Sequence, residues 1–301
     1  MRPFGGRPRT TRVMDAREMR GLLELAAEKR ARVLLGTARR VGLVPAETDK
    51  ENFQQEVDRL LSNPSALSVP VLDGPHWRVV VRPASYSAER IGSLSECFEL
   101  IRRNKLSLRG WDFPHLWREG KGQGNDWVAS WGTFEEHQEY WRFHQSGQFL
   151  DLFCVRETDA VWSKKLAEQS RFHRSDGPLD WDSVRGYLSL VNTIYIVTEV
   201  FEFAARLSQH DAFDDRVVVG LHLQGIEQFV LTTTFERSWR CRLCTEDRLG
   251  KVWELPRADL ISDTPSHSLK ACLWLFERLG WLDPPEVVIQ KEIDDFLHRR
   301  R

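Results

Sequence analysis

From Phe149 to Val155 the chain is apolar on both faces of an extended strand. Phe149, Phe153 and Val155 share one side, and Leu150, Leu152 and Cys154 share the other. A strand with one wet face alternates apolar with polar residues, whereas one apolar on both faces needs cover on both. This run therefore predicts a central strand. Trp127–Phe134 and Tyr140–Val155 read as strand-forming, with Gln145-Ser146-Gly147 as the turn between two alternating runs.

Around that strand the spacing predicts an α+β fold, an antiparallel sheet packed against helices with a small N-terminal helical head. Residues 1–13 read as a disordered basic tail, 14–62 as the helical head, and 76–301 as the α+β domain. The head holds a helix over Met14–Val41 and a second over Lys50–Leu61, with Phe53, Val57, Leu60 and Leu61 on one side. Trp77–Val81 is a short strand. Ile91–Arg102 is a helix with Ser93 and Glu96 at capping-box spacing. The longest helix runs from Asp180 or Trp181 to Leu207 and is apolar nearly all round. Val217–Leu223 and Phe229–Phe235 are joined by a short link at Gly225, which predicts an antiparallel hairpin. Trp239–Cys244 and Lys251–Leu255 add two strands. Pro265 opens a helix capped by Thr264, and Glu286–His298 forms the last helix, with Arg299–Arg301 at its C-terminus.

The charge is uneven. The net charge is −1, yet residues 1–44 hold eleven Lys/Arg against four Asp/Glu, a head of +7 on a remainder of −8. A basic head suggests an anionic partner or docking onto the acidic body, and docking or plain solvation is the simpler reading. Five cysteines in an odd, unframed pattern point to thiols and a cytoplasmic setting. No secretory signal is visible. Tyr187–Ala205 carries Asn192, Glu199 and Glu202, so it reads as a buried helix and not a membrane span.

The most unusual stretch is Arg103-Asn-Lys-Leu-Ser-Leu-Arg-Gly-Trp-Asp-Phe-Pro-His-Leu116. Gly110 admits positive φ, and Pro114 holds Phe113 out of the helical region, so regular structure breaks here. Arg109, Trp111, Asp112 and His115, with Arg142 downstream, are the candidate ligand-binding residues. No catalytic residue, cofactor or metal ligand is assigned. The simpler account pairs Asp112 with Arg109, lets His115 cap a carbonyl, and plugs the core with Trp111 and Phe113. Charged aromatic corners are commonly structural, and that account is preferred.

Leu106-Ser-Leu-Arg-Gly-Trp-Asp-Phe-Pro-His115, followed by Tyr140-Trp-Arg-Phe-His-Gln-Ser-Gly-Gln-Phe149, resembles an uncharacterised bacterial region that often follows a Schlafen-type AlbA_2 domain. The resemblance spans about Trp77 to near the C-terminus. It implies work beside a nucleic-acid- or nucleotide-handling module. No AlbA_2-like stretch precedes Trp77, so that module is absent here or supplied by another chain.

Other constellations carry less. Cys241-Arg-Leu-Cys244 lacks the second ligand pair of a structural zinc site. Glu135, Glu136, His137 and Glu139, with His144, lack zincin spacing and read as a solvated turn. Gly120–Gly124 lacks the Lys-Ser/Thr of a phosphate loop. Trp111, Trp117, Trp127, Trp131 and Trp141 lie near Arg109, Arg118, Lys121 and Arg142 in sequence, which would suit base stacking but equally builds a core. Three functions follow in order of preference. The first is a non-catalytic sensing or interaction module with a protein or nucleic-acid partner. The second is direct single-stranded nucleic-acid binding through the basic head and the aromatic corner. The third is a hydrolase using Asp112 and His115. No membrane role is expected, and an enzyme is the less favoured class.

Overall fold

The computed structural model describes residues 48–62, 67, 69–135, 137–158, 180–232 and 240–298, with Arg30 and a few residues between 164 and 175. The chain divides after Thr48 into two units, of which the second is Asp49–Arg301. The expected tail, the helix over 14–41, Glu136, Phe235, Trp239 and Arg299–Arg301 lie outside the described residues.

Strand β1 (His76–Pro83) runs beside β5 (Phe149–Cys154) on one side and β8 (Arg216–Gln224) on the other. With β2 (Lys121–Gln123), β3 (Trp127–Phe134), β4 (His137–His144) and β11 (Arg248–Pro256) they form a seven-stranded sheet, ordered β11-β8-β1-β5-β4-β3-β2. Every pairing in it is antiparallel. β5 is central, as its two apolar faces require. The turn before it places Gly147 at φ +85°.

Each face has its own cover. One face presents Trp77, Val79 and Val81 from β1 with Phe149 and Phe153 from β5. Helix α3 (Leu190–Leu207) lies on it with Phe203, whose ring is 4.8 Å from that of Phe149. Helix α2 (Leu94–Asn104), capped by Ser93, also joins this core, and α5 (Thr264–Arg278) and α6 (Glu286–His298) extend it. The opposite face presents Tyr140, Leu150 and Leu152 to Val57 and Leu60 of helix α1 (Asp49–Leu61) and to Leu67, Val69 and Val71. The fold is α+β.

Several expectations are corrected. Residues 49–62 belong to the body, not to a head. Phe53, Val57 and Leu60 are buried, Phe53 packs edge-on against Tyr86, and Glu56 accepts hydrogen bonds from Ser146 and Gln148. An amphipathic stripe reveals that a helix has a buried side but not what buries it. The long helix begins at Leu190, because Ser189 caps it. Before it, Gly186–Ser189 forms β7, parallel to β9 (Phe229–Thr232). A methyl at Gly186 would come within 2.4 Å of the Phe229 ring, which explains the bare position.

The expected hairpin at Gly225 does not form. β8 pairs with β1 and β11, while β9 leaves for a second sheet ordered β6-β10-β9-β7, with β6 at Arg174–Ser175 and β10 at Arg240–Leu243. Gly225 (φ +76°) and Gln228 (φ +63°) bend the chain, and the fully buried Ile226 anchors it between the sheets. A short helix α4 (Arg257–Ser262) precedes α5, whose cap is Asp263 and not Thr264.

Candidate functional site

The corner is a closed loop. Leu106 and Phe113 exchange two backbone hydrogen bonds of 2.8 Å, Gly110 between them has φ +88°, and the Phe113–Pro114 peptide is cis. Leu106 and Phe113 are buried, so the loop's side chains are presented from a fixed base.

Each ionic group of this stretch has a partner, and for Arg109 and His115 it comes from outside the corner. Arg109 reaches α3: Nε donates to Glu199 Oε1 at 3.1 Å, and Nη1 donates to Asn192 Oδ1 at 2.6 Å. Asp112 pairs with Lys105, not with Arg109. His115 does not cap a carbonyl with its ring; Nδ1 hydrogen-bonds Glu139, while its backbone N–H donates to Glu139 Oε1 at 3.0 Å. Trp141, fully buried, donates Nε1–H to the His115 carbonyl.

Beside the loop is a cavity of about 270 Å³. Arg109, Trp111, Phe113, His115 and Trp117 come from the corner. Phe134, Glu135, His137 and Glu139 come from the β3–β4 hairpin, Phe153, Cys154 and Arg156 from the end of β5, and Asn192 and Ile196 from α3. Trp111 is half-buried beside two guanidinium groups, Arg156 4.5 Å and Arg109 5.1 Å from its ring centre. Trp117 stacks on His115 at 5.1 Å. It can do so because Gly132 on β3 is bare, since a methyl there would lie 2.2 Å from the indole.

Three of the five candidates, Arg109, Trp111 and His115, thus share one cavity. Asp112 does not line it. Arg142 is on the other face of the sheet, buried over Trp127 at 3.9 Å and donating to the Tyr140 hydroxyl at 2.8 Å. Trp131 stacks on Tyr140, on that same far face. The five tryptophans considered for base stacking therefore do not form one surface. Phe134, Phe153, Arg156 and Asn192 were not read as site residues, and His137 and Glu139, expected in a solvated turn, instead lie on β4 with Glu139 buried. Only His137 and Glu139 carried a signal: two apart on a strand, they share a face.

The electrostatics of the cavity centre on Glu139, whose side chain is 2% exposed. Burial alone would raise its pKa, but hydrogen bonds and charge from His115 and His137 outweigh that and hold the carboxyl below its usual range. The pKa of His137 is raised: desolvation opposes its charge, and Cys154 and Glu139 more than offset that. Glu199 and Glu157, also buried, are pushed up by desolvation and pulled back by Arg109 and Asn192 respectively. His115 Nδ1, His137 Nε2 and a Glu139 oxygen all lie within 4.8 Å of one another, close enough to share a cation.

Glu56, Asp126 and His144 make a second such cluster. It sits on the α1 face, where His144 Nδ1 is 3.9 Å from Glu56 and 3.7 Å from Asp126. Glu56 is already engaged by Ser146, Gln148 and Tyr86, so this cluster reads as a clasp between α1 and the sheet. The two cysteines of the Cys241–Cys244 pair have separate neighbours, Thr232 and the Glu246 carbonyl. The five cysteines form no disulfide. Among the described residues no helix is long and apolar enough to cross a membrane.

No known protein family, curated protein or solved structure matches this chain.

Proposed function

We propose that the chain is a non-catalytic sensing module that takes a small planar molecule with an anionic edge into the cavity beside the corner. The observation that carries this reading is the wall itself: Trp111, with the Arg109 and Arg156 guanidiniums near its ring, lines about 270 Å³ together with Trp117, Phe134 and Phe153. An apolar, largely aromatic pocket with a few polar groups is the usual setting for small-molecule recognition. At about 30 Å³ per water, the space corresponds to roughly nine waters, the size of a nucleobase or an aromatic carboxylate and not of an oligonucleotide. Arg109 is fixed by Glu199 and Asn192, so it serves as a rigid wall, and Asp112 stands outside the cavity, which disfavours a hydrolase built on Asp112 and His115. The resemblance noted above adds a context, sensing on behalf of a nucleotide- or nucleic-acid-handling partner.

The test is tryptophan fluorescence titrated with nucleobases, nucleoside monophosphates and aromatic carboxylates. A saturable change at one equivalent is expected for at least one class, lost in Trp111→Ala and weakened about tenfold or more in Arg156→Ala, as for loss of a desolvated cation–π contact. Silence across all three classes, or binding indifferent to Trp111→Ala, removes the proposal.

A further inference from the structure

His137 and Glu139 project from the same face of β4, and the corner brings His115 against them. Glu139 is oriented by the His115 backbone N–H at Oε1, which leaves Oε2 directed between two imidazoles. The His137 ring is steered from behind: its Nδ1 faces Cys154 Sγ at 3.8 Å, and that sulfur accepts a hydrogen bond from the Gln138 N–H at 3.2 Å. With Nδ1 directed at sulfur, Nε2 is turned toward the Glu139 carboxylate, 3.6 Å away. His115 Nδ1, His137 Nε2 and a Glu139 oxygen thus converge in the cavity wall, all within 4.8 Å of one another. Ligating histidines characteristically have the second ring nitrogen held by such an outer partner.

We infer that His115, His137 and Glu139 bind one divalent transition-metal ion in the cavity wall, with Cys154 positioning His137 from outside the ligand set. Two imidazoles and one carboxylate suit zinc, cobalt(II), iron(II) or nickel, whereas magnesium and calcium prefer all-oxygen sets. Three protein ligands leave coordination positions open toward the cavity, the arrangement in which a bound metal also receives a small ligand. The inference goes beyond the sensing proposal and does not need it, because the three side chains converge whether or not an organic molecule binds.

Cobalt(II) is the probe. Chelator-treated full-length protein is titrated with cobalt(II) in the absence of any organic ligand. One equivalent is expected to bind, giving visible d–d bands that zinc abolishes and quenching the tryptophan emission through Trp117, which lies against His115. His137→Gln should lower the affinity more than 100-fold, while Cys154→Ser should lower it by about 10–100-fold, the range for an outer-shell partner. Asp126→Asn, in the other histidine–carboxylate cluster, should leave it unchanged. Absence of d–d bands at millimolar cobalt overturns the site, as do bands that survive His137→Gln or vanish with Asp126→Asn. Because no organic ligand is present, failure here leaves the small-molecule proposal intact, and failure of that proposal leaves the metal site to stand on its own titration.

Discussion

Asp151 sits in the middle of the central strand with no exposed surface, and neither carboxyl oxygen makes a well-formed hydrogen bond. It shares its face with Phe149 and Phe153 and is paired in register with Val79 and Trp141. Desolvation raises its pKa well above 3.8, and the negative charge of Glu139 raises it further, against a weaker pull from the Leu152 N–H. The folded protein therefore keeps this proton longer than the unfolded chain does. Above pH 3.8 the unfolded state binds fewer protons at this position, so stability falls as pH rises from there toward the folded pKa. The slope is about 1.4 kcal/mol per pH unit. Asp151→Asn keeps the shape and removes the titration. Urea unfolding of both proteins at pH 4, 5, 6 and 7 should show the variant gaining on the wild type as pH rises, by at most about 1.4 kcal/mol per unit, with little difference at pH 4. Parallel pH profiles would refute the reasoning, since they would mean that Asp151 is ionised in the fold and has a cation beside it.

Arg109→Ala leaves Glu199 buried without its cation and should cost about 3–5 kcal/mol in chemical denaturation, against a much smaller loss for the double variant Arg109→Ala/Glu199→Leu. The pKa of His222 is lowered to about 4 by burial and by Arg78, so its contribution to stability is full above pH 6.5 and is lost as pH falls toward 4. His222→Gln should flatten that limb by up to about 3 kcal/mol in thermal or urea unfolding. Gly132→Ala places a methyl 2.2 Å from Trp117 and should cost about 1–3 kcal/mol while displacing that indole, read as a shift in tryptophan emission.

The strands and helices were legible wherever one pattern decided between wet and dry faces. β5 announced itself as central, and α6 announced its inward Ile289, Ile293 and Phe296. The corner's breaks at Gly110 and Pro114 were equally plain. Its partners were not, because Glu199 and Asn192 arrive from 90 and 83 residues away. A local argument could only pair Arg109 with the nearest acid, Asp112, and Lys105 took that acid instead. The same limit misplaced β9. A four-residue link ordinarily closes a hairpin, but burial of Ile226 and pairing with β7 and β10 outweigh that local preference. At the site, the alternation of His137 with Glu139 was visible, yet only the fold could bring His115 across to meet them.

The pair of backbone hydrogen bonds between Leu106 and Phe113 makes the intervening residues one stiff lever. Trp111 forms part of the cavity wall at one end of that lever, and Arg109 grips the third and tenth residues of α3 at the other. A guest that presses the indole outward must either be refused or drag the guanidinium with it, so filling the cavity becomes a tug on the helix that covers the sheet.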